Sequence, residues 1–158
     1  MMNKTLATRP SITVAAVAER DGRFLMVEEY AADRLVINQP AGHLEPHEDI
    51  LSAVAREALE ETGWRFRPEF LLGVYLWEHP SQTHSYLRLA FAGQVFDHDP
   101  ARPLDEGIVH ALWLTPEELS ARGEQLRSPL VLRCVEDYLS GERYPLSLVK
   151  SYVGSGRP

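Results

Sequence analysis

The period of the hydrophobic positions changes several times along the chain, and each change marks an element. Residues 11–18 (Ser-Ile-Thr-Val-Ala-Ala-Val-Ala) are small or β-branched and predict a strand. Asp21-Gly22 supplies a tight turn, and residues 23–29 return as a second strand, so a hairpin is expected. Residues 35–37 predict a third strand ending at Asn38-Gln39-Pro40, where the proline keeps Gln39 extended on the way into Ala41-Gly42. From Asp49 to Thr62 the pattern turns helical. At about 100° per residue, Leu51, Ala55, Ala58, Leu59 and Thr62 form an apolar stripe, and Glu57, Glu60 and Glu61 fall on the opposite side. Asp49 is the expected N-cap, a start at Pro46 with Glu45 as cap being the alternative. Gly63 ends the helix by taking the left-handed conformation, with Trp64 placed to touch Leu59.

Beyond this helix, residues 70–77 are a strongly apolar strand segment and residues 78–83 a polar loop. Residues 85–96 form a long strand, with Tyr86, Arg88, Ala90 and Ala92 on one face and Leu87, Leu89 and Phe91 on the other. Residues 97–107 read as an acidic loop and residues 108–114 as a short strand. Thr115-Pro116 opens a short helix through Arg122, and Ser128-Pro129 opens another to about Ser140, closed by Gly141. Residues 1–10 and 150–158 are expected to be loose ends of a single domain spanning residues 1–158. Strands on both sides of one long helix, with a second helix near the end, suggest a sheet between helices.

Composition narrows the classes. A chain of 158 residues supports one domain with a real core. The formal net charge of −7, with scattered Lys and Arg, argues against a nucleic-acid polymer as partner but not against a small polyphosphate. Cys134 is the only cysteine, so no internal disulfide can form. No apolar run reaches the length of a membrane span and the opening residues lack a signal-peptide core, so a cytoplasmic enzyme without a membrane partner is expected.

The helix at residues 49–62 breaks a local rule. Glu57, Glu60 and Glu61 crowd its last turns at spacings where like charges repel by about 0.2–0.5 kcal/mol per pair, at the end where the macrodipole already disfavours anions. A divalent cation resolves the conflict. All-oxygen ligands favour Mg²⁺ or Mn²⁺, and magnesium shares its coordination with substrate phosphates, so a small phosphorylated substrate is expected.

Gly42, Glu48 and the run Arg56-Glu57-Ala58-Leu59-Glu60-Glu61-Thr62-Gly63-Trp64, separated by five and seven residues, resemble the signature of the Nudix hydrolases. The one departure is Ala58, smaller than the aliphatic residue common there. The resemblance implies an α/β fold, a Nudix-type α/β/α sandwich with mixed sheet and a loop-helix-loop catalytic motif. It implies Glu57, Glu60 and Glu61 as metal ligands, helped by the backbone carbonyl of Ala41. Arg56 and Glu48 would brace the loop against the helix, and Gly42 would let the backbone turn close to the metal. Glu60 or Glu61 is a candidate base; Glu106 is another, from a region where the family often recruits an acid. Trp77, Tyr86 and Arg88 are candidate substrate contacts, the aromatics for a base and the arginine for a phosphate, although the apolar run that Trp77 ends favours core packing for it. His43 and His47 lack ligand-type spacing.

Residues 38–45, 126–131 and 140–146 also resemble a bacterial phosphatase branch of the family. That implies release of phosphate from nucleoside tri- and diphosphates and from hydroxymethylpyrimidine diphosphate, by a monomer or homodimer. The alternatives are a pyrophosphatase of the ADP-ribose type and a non-catalytic ligand-sensing module.

Overall fold

The chain runs β1 (Pro10–Val17), β2 (Glu19–Arg20), β3 (Arg23–Ala31), β4 (Arg34–Asn38), β5 (Ala41–His43), α1 (Ile50–Thr62), β6 (Arg65–Glu78), β7 (Ser85–Phe96), β8 (Ile108–Leu114), α2 (Pro116–Arg122) and α3 (Pro129–Leu139). These come from a computed structural model that describes residues 9–154; the expectations for residues 1–8 and 155–158 lie outside it. A mixed sheet has the order β5-β1-β7-β6, with β1 parallel to β7 and both outer pairings antiparallel. In a second, antiparallel sheet β3 pairs with β2, β4 and β8.

Both faces of the mixed sheet are covered, and the period of β1 shows how. Val14 and Ala16 enter a cluster with Ala53, Val54 and Ala58 of α1 and Phe91 of β7. Ala15 and Val17 enter the opposite cluster with Phe24, Leu72, Leu119, Val131 and Cys134. Strands buried on both faces read as continuous small or apolar runs, which is what residues 11–18 are. The expected two faces of β7 separate in the same way, Ala90 and Ala92 to one cluster and Phe91 to the other.

Several boundaries differ from expectation. The hairpin around Asp21-Gly22 joins β2 to β3, not β1 to β3, because the chain changes sheets near Ala18, whose carbonyl accepts from Leu25 N at 2.9 Å. Pro10 opens β1 opposite Ser85 instead of ending a loose arm. β6 starts at Arg65, five residues early, and takes up Pro68 at a register shift. At the far end Ser151 Oγ accepts from Ile50 N at 3.2 Å, which ties residue 151 to the first turn of α1.

Candidate active site

The site begins with how α1 is capped and turned. Asp49 accepts from Ser52 N at 3.0 Å and from Ser52 Oγ at 2.6 Å, so the helix starts at Ile50 and not at Pro46. Gly63, at φ 77°, closes it with its N–H on Leu59 O. Trp64 stacks on His98 with ring centroids 4.5 Å apart. The buried side consists of Ala53, Val54, Glu57, Ala58, Glu61 and Thr62. The expected stripe placed Ala55 and Leu59 inward and all three glutamates outward; instead Glu57 projects between Ala53 and Val54, and Glu61 follows one turn later. Two carboxylates therefore face the sheet, each in a residue 7% exposed.

Strand β5 receives them. Ala41 N donates to Glu61 Oε1 at 2.9 Å. Gly42 pairs with Val14 and does not have a positive φ, so the turn expected at this glycine is absent. Its lack of a side chain matters for another reason: a Cβ there would lie 2.3 Å from Cδ and Oε1 of Glu57. The strand edge is hollowed to accept that carboxylate.

Arg56 braces the other side. It grips Glu48 through Nε and through Nη2 at 2.9 Å, while Nη1 reaches Glu57 Oε1 and Glu60 Oε1, each at 2.8 Å. Nη2 also donates to His43 O at 3.2 Å. One guanidinium thus fastens the loop before α1 to the helix, as expected of a bidentate fork. The Arg56 hydrogen bonds hold the Glu48 carboxyl below its ordinary range, and those to Glu48 hold Arg56 further above its own.

The loop before β8 completes the cluster, with a change of residue. Carboxylate oxygens of Glu57, Glu60 and Asp105 lie within 4.8 Å of one another. Asp105 N donates to Glu60 O at 3.0 Å, and Ile108 N to Asp105 O at 3.1 Å, which turns Asp105 toward the helix. Glu106, the residue expected from sequence, is exposed as Asp105 is, but lies outside the cluster. The adjacent acids Asp105-Glu106 were the only signal in sequence, and it does not say which one meets the glutamates.

Burial pushes the Glu57 carboxyl up, against the pull of Arg56. It pushes Glu61 to about 9, with the Ala41 N–H opposing and Glu29, Glu57 and Asp105 adding to the rise. Asp105 is also raised, by burial first and then by Glu60. Carboxylates held this close, with Glu57 and Glu61 buried, either keep protons or share a cation. The donor set is all carboxylate oxygen and fits a hard divalent ion.

Glu57 and Glu61 also line a cavity of about 370 Å³ with Ala41, Gly42, Trp77, Tyr86 and Arg88. Trp77 and Tyr86, cross-strand partners, stack at 6.1 Å with planes 14° apart. Trp77 is thus a cavity wall and not core. Arg88 lies in the same wall, but its Nη1 donates to Gln39 Oε1 at 2.8 Å and its Nη2 to Asn38 Oδ1 at 3.0 Å. Glu29, missed from sequence, faces the cavity from β3, held by Arg127 Nη1 at 3.2 Å and Asn38 Nδ2 at 3.4 Å. Only the pairing of β3 with β4 places it there.

The family model described as the NUDIX domain matches residues 7–134. Phosphatase NudJ of Escherichia coli (strain K12) is 39% identical over 144 residues, 91% of this chain and 93% of that one. Phosphatase NudJ of Shigella sonnei (strain Ss046) matches to the same extent. A NUDIX hydrolase from Nitrosomonas europaea superposes with a TM-score of 0.90 at 50% identity, covering 93% of this chain and all of that one. An ADP-ribose pyrophosphatase from Streptococcus suis shares the fold, with a TM-score of 0.64 at 13% identity over 86% of this chain and 96% of that one.

Proposed function

The chain belongs to the Nudix hydrolase family, and on that premise we propose a phosphatase that releases phosphate from nucleoside tri- and diphosphates and related small diphosphates, such as hydroxymethylpyrimidine diphosphate. The carrying observation is the placing of Glu57: it belongs to the three-carboxylate cluster and also lines the cavity whose wall is the stacked Trp77–Tyr86 pair. A cation site and a flat apolar surface in one cleft suit a ring attached to a diphosphate.

Glu57, Glu60 and Asp105 would hold Mg²⁺ or Mn²⁺, with Glu61 and the Ala41 carbonyl beside them. A bound ion would supply charge neutralisation at the phosphate and lower the pKa of a water. Arg56 keeps Glu57 and Glu60 fixed, so their oxygens need no reorganisation during the reaction. Glu61 stands outside the three-residue cluster with one oxygen taken by Ala41 N–H, and its other oxygen, freed of its proton by the charge of a bound cation, would accept a proton from water. Trp77 and Tyr86 orient the substrate by stacking on its ring.

A phosphate-release screen with and without Mg²⁺, over nucleoside tri- and diphosphates, ADP-ribose and hydroxymethylpyrimidine diphosphate, tests the reading. Orthophosphate from the first and last classes is expected. Two monophosphates from ADP-ribose as the preferred reaction would replace this reading with that of a pyrophosphatase, and binding without turnover would indicate a sensing module.

A further inference from the structure

Arg88 is 7% exposed, and among the described residues no carboxylate pairs with it. An isolated charge in that position is costly unless its hydrogen bonds are well made. Those bonds go to two consecutive side chains at the end of β4: Gln39 Oε1 at 2.8 Å and Asn38 Oδ1 at 3.0 Å. Each of these partners passes the constraint on. Gln39 Nε2 donates to Val131 O of α3 at 2.7 Å, and Gln39 N to Asn38 Oδ1 at 2.9 Å. Asn38 Nδ2 reaches Glu29 Oε2 at 3.4 Å. The next residues are Pro40, whose carbonyl accepts from Ala16 N at 2.9 Å, and then the strand that holds Glu61 and makes room for Glu57.

Taking Glu57, Glu60 and Asp105 as the cation site proposed above, we propose that Arg88 is a positioning residue and not a substrate ligand. Its guanidinium aims the Asn38–Gln39 pair, and through that pair it sets β5 against Glu57 and Glu61. The fork geometry suits this task, since two donors on one rigid plane fix two acceptors on adjacent residues. A lysine in its place keeps the charge but offers no planar fork.

The test compares Arg88→Lys, Arg88→Met and Asn38→Ala with wild type. Mn²⁺ affinity is measured without substrate by electron paramagnetic resonance, together with kcat, KM and Tm, at a temperature where circular dichroism shows each variant folded. Arg88→Met is expected to lose about 10- to 100-fold in Mn²⁺ affinity and in kcat, with KM within about threefold. Arg88→Lys is expected to recover part of that loss, and Asn38→Ala, which leaves Arg88 in place and serves if the arginine variants do not fold, to show the same pattern more weakly. A KM raised tenfold or more with kcat and Mn²⁺ affinity kept would make Arg88 a substrate contact and overturn the proposal. So would a lower Tm with both quantities intact. If the wild-type protein binds no Mn²⁺, the proposed cation site fails as well; if wild type and Arg88→Met bind it equally, only the positioning role fails.

Discussion

Replacing Gly42 by alanine adds one methyl group at the point where β5 meets the buried glutamates. The new Cβ would lie 2.3 Å from Cδ and Oε1 of Glu57 and 2.4 Å from Oε2, against an ordinary contact of 3.4–4 Å. The carboxylate must therefore move by about 1 Å, away from Arg56 Nη1 and from its partners in the cluster. Folding is expected to change little, because Gly42 has no positive φ and the obstructing atoms end a flexible side chain. A displaced rotamer costs about 0.5–1.5 kcal/mol, and replacing glycine by alanine returns about 0.4–1 kcal/mol through the unfolded state. With about 0.5–1.5 kcal/mol more for the weakened Arg56–Glu57 hydrogen bond, the net loss of stability is about 0–2.5 kcal/mol. Function is more sensitive: a misplacement of that size costs about 100-fold in rate, or about 2.7 kcal/mol of barrier. Urea unfolding in EDTA, Mn²⁺ titration and phosphate release at saturating Mg²⁺ measure the three quantities separately. A folded G42A protein with wild-type Mn²⁺ affinity and turnover would refute the argument, as would a loss of several kcal/mol in EDTA.

Three further outcomes are expected. Arg56→Lys gives up the two-point grip on Glu48 and should lower stability by about 1–3 kcal/mol in urea unfolding, with kcat falling as well; a variant as stable as wild type would mean that the fork is not what holds the loop to the helix. Asp105→Asn should cut phosphate release at limiting Mg²⁺ by at least tenfold and Glu106→Gln by less than twofold, the reverse order restoring the assignment made from sequence. In EDTA the protein should lose stability as pH rises from about 4.5 to about 9. Glu57 and Glu61 bind protons more tightly folded than unfolded, so their contribution is complete below the ordinary carboxylate range and disappears as pH climbs through the raised values. Saturating Mg²⁺ should flatten that decline, and a Tm in EDTA that climbs steadily over the window would contradict it.

Much of the element map was legible because it depends on local rules. The caps at Asp49, Thr115 and Ser128 and the stop at Gly63 are backbone chemistry carried by single residues, and the helices begin and end where those residues stand. The spacing of Glu48 and Arg56 likewise put the loop before α1 within reach of one guanidinium, whereas Gly42 acts by leaving room for Glu57 and not by a turn. The inward face of α1 was read with less success. A pattern reading counts glutamate as polar and sends it outward, whereas the glycine of β5 and the guanidinium of Arg56 make a buried place for Glu57.

The linear order of residues determined the helix that carries the carboxylates, the strand runs and the type of ligand chemistry, since caps, periodicity and donor type act over a few neighbours. Tertiary structure alone decided that Asp105 and not Glu106 joins the glutamates, that Glu29 and Trp77 face the cavity, and that Arg88 spends its donors on Asn38 and Gln39. Each of those outcomes depends on the register between segments far apart in the chain. A shift of one residue there turns a side chain to the opposite face, and no local pattern specifies that register.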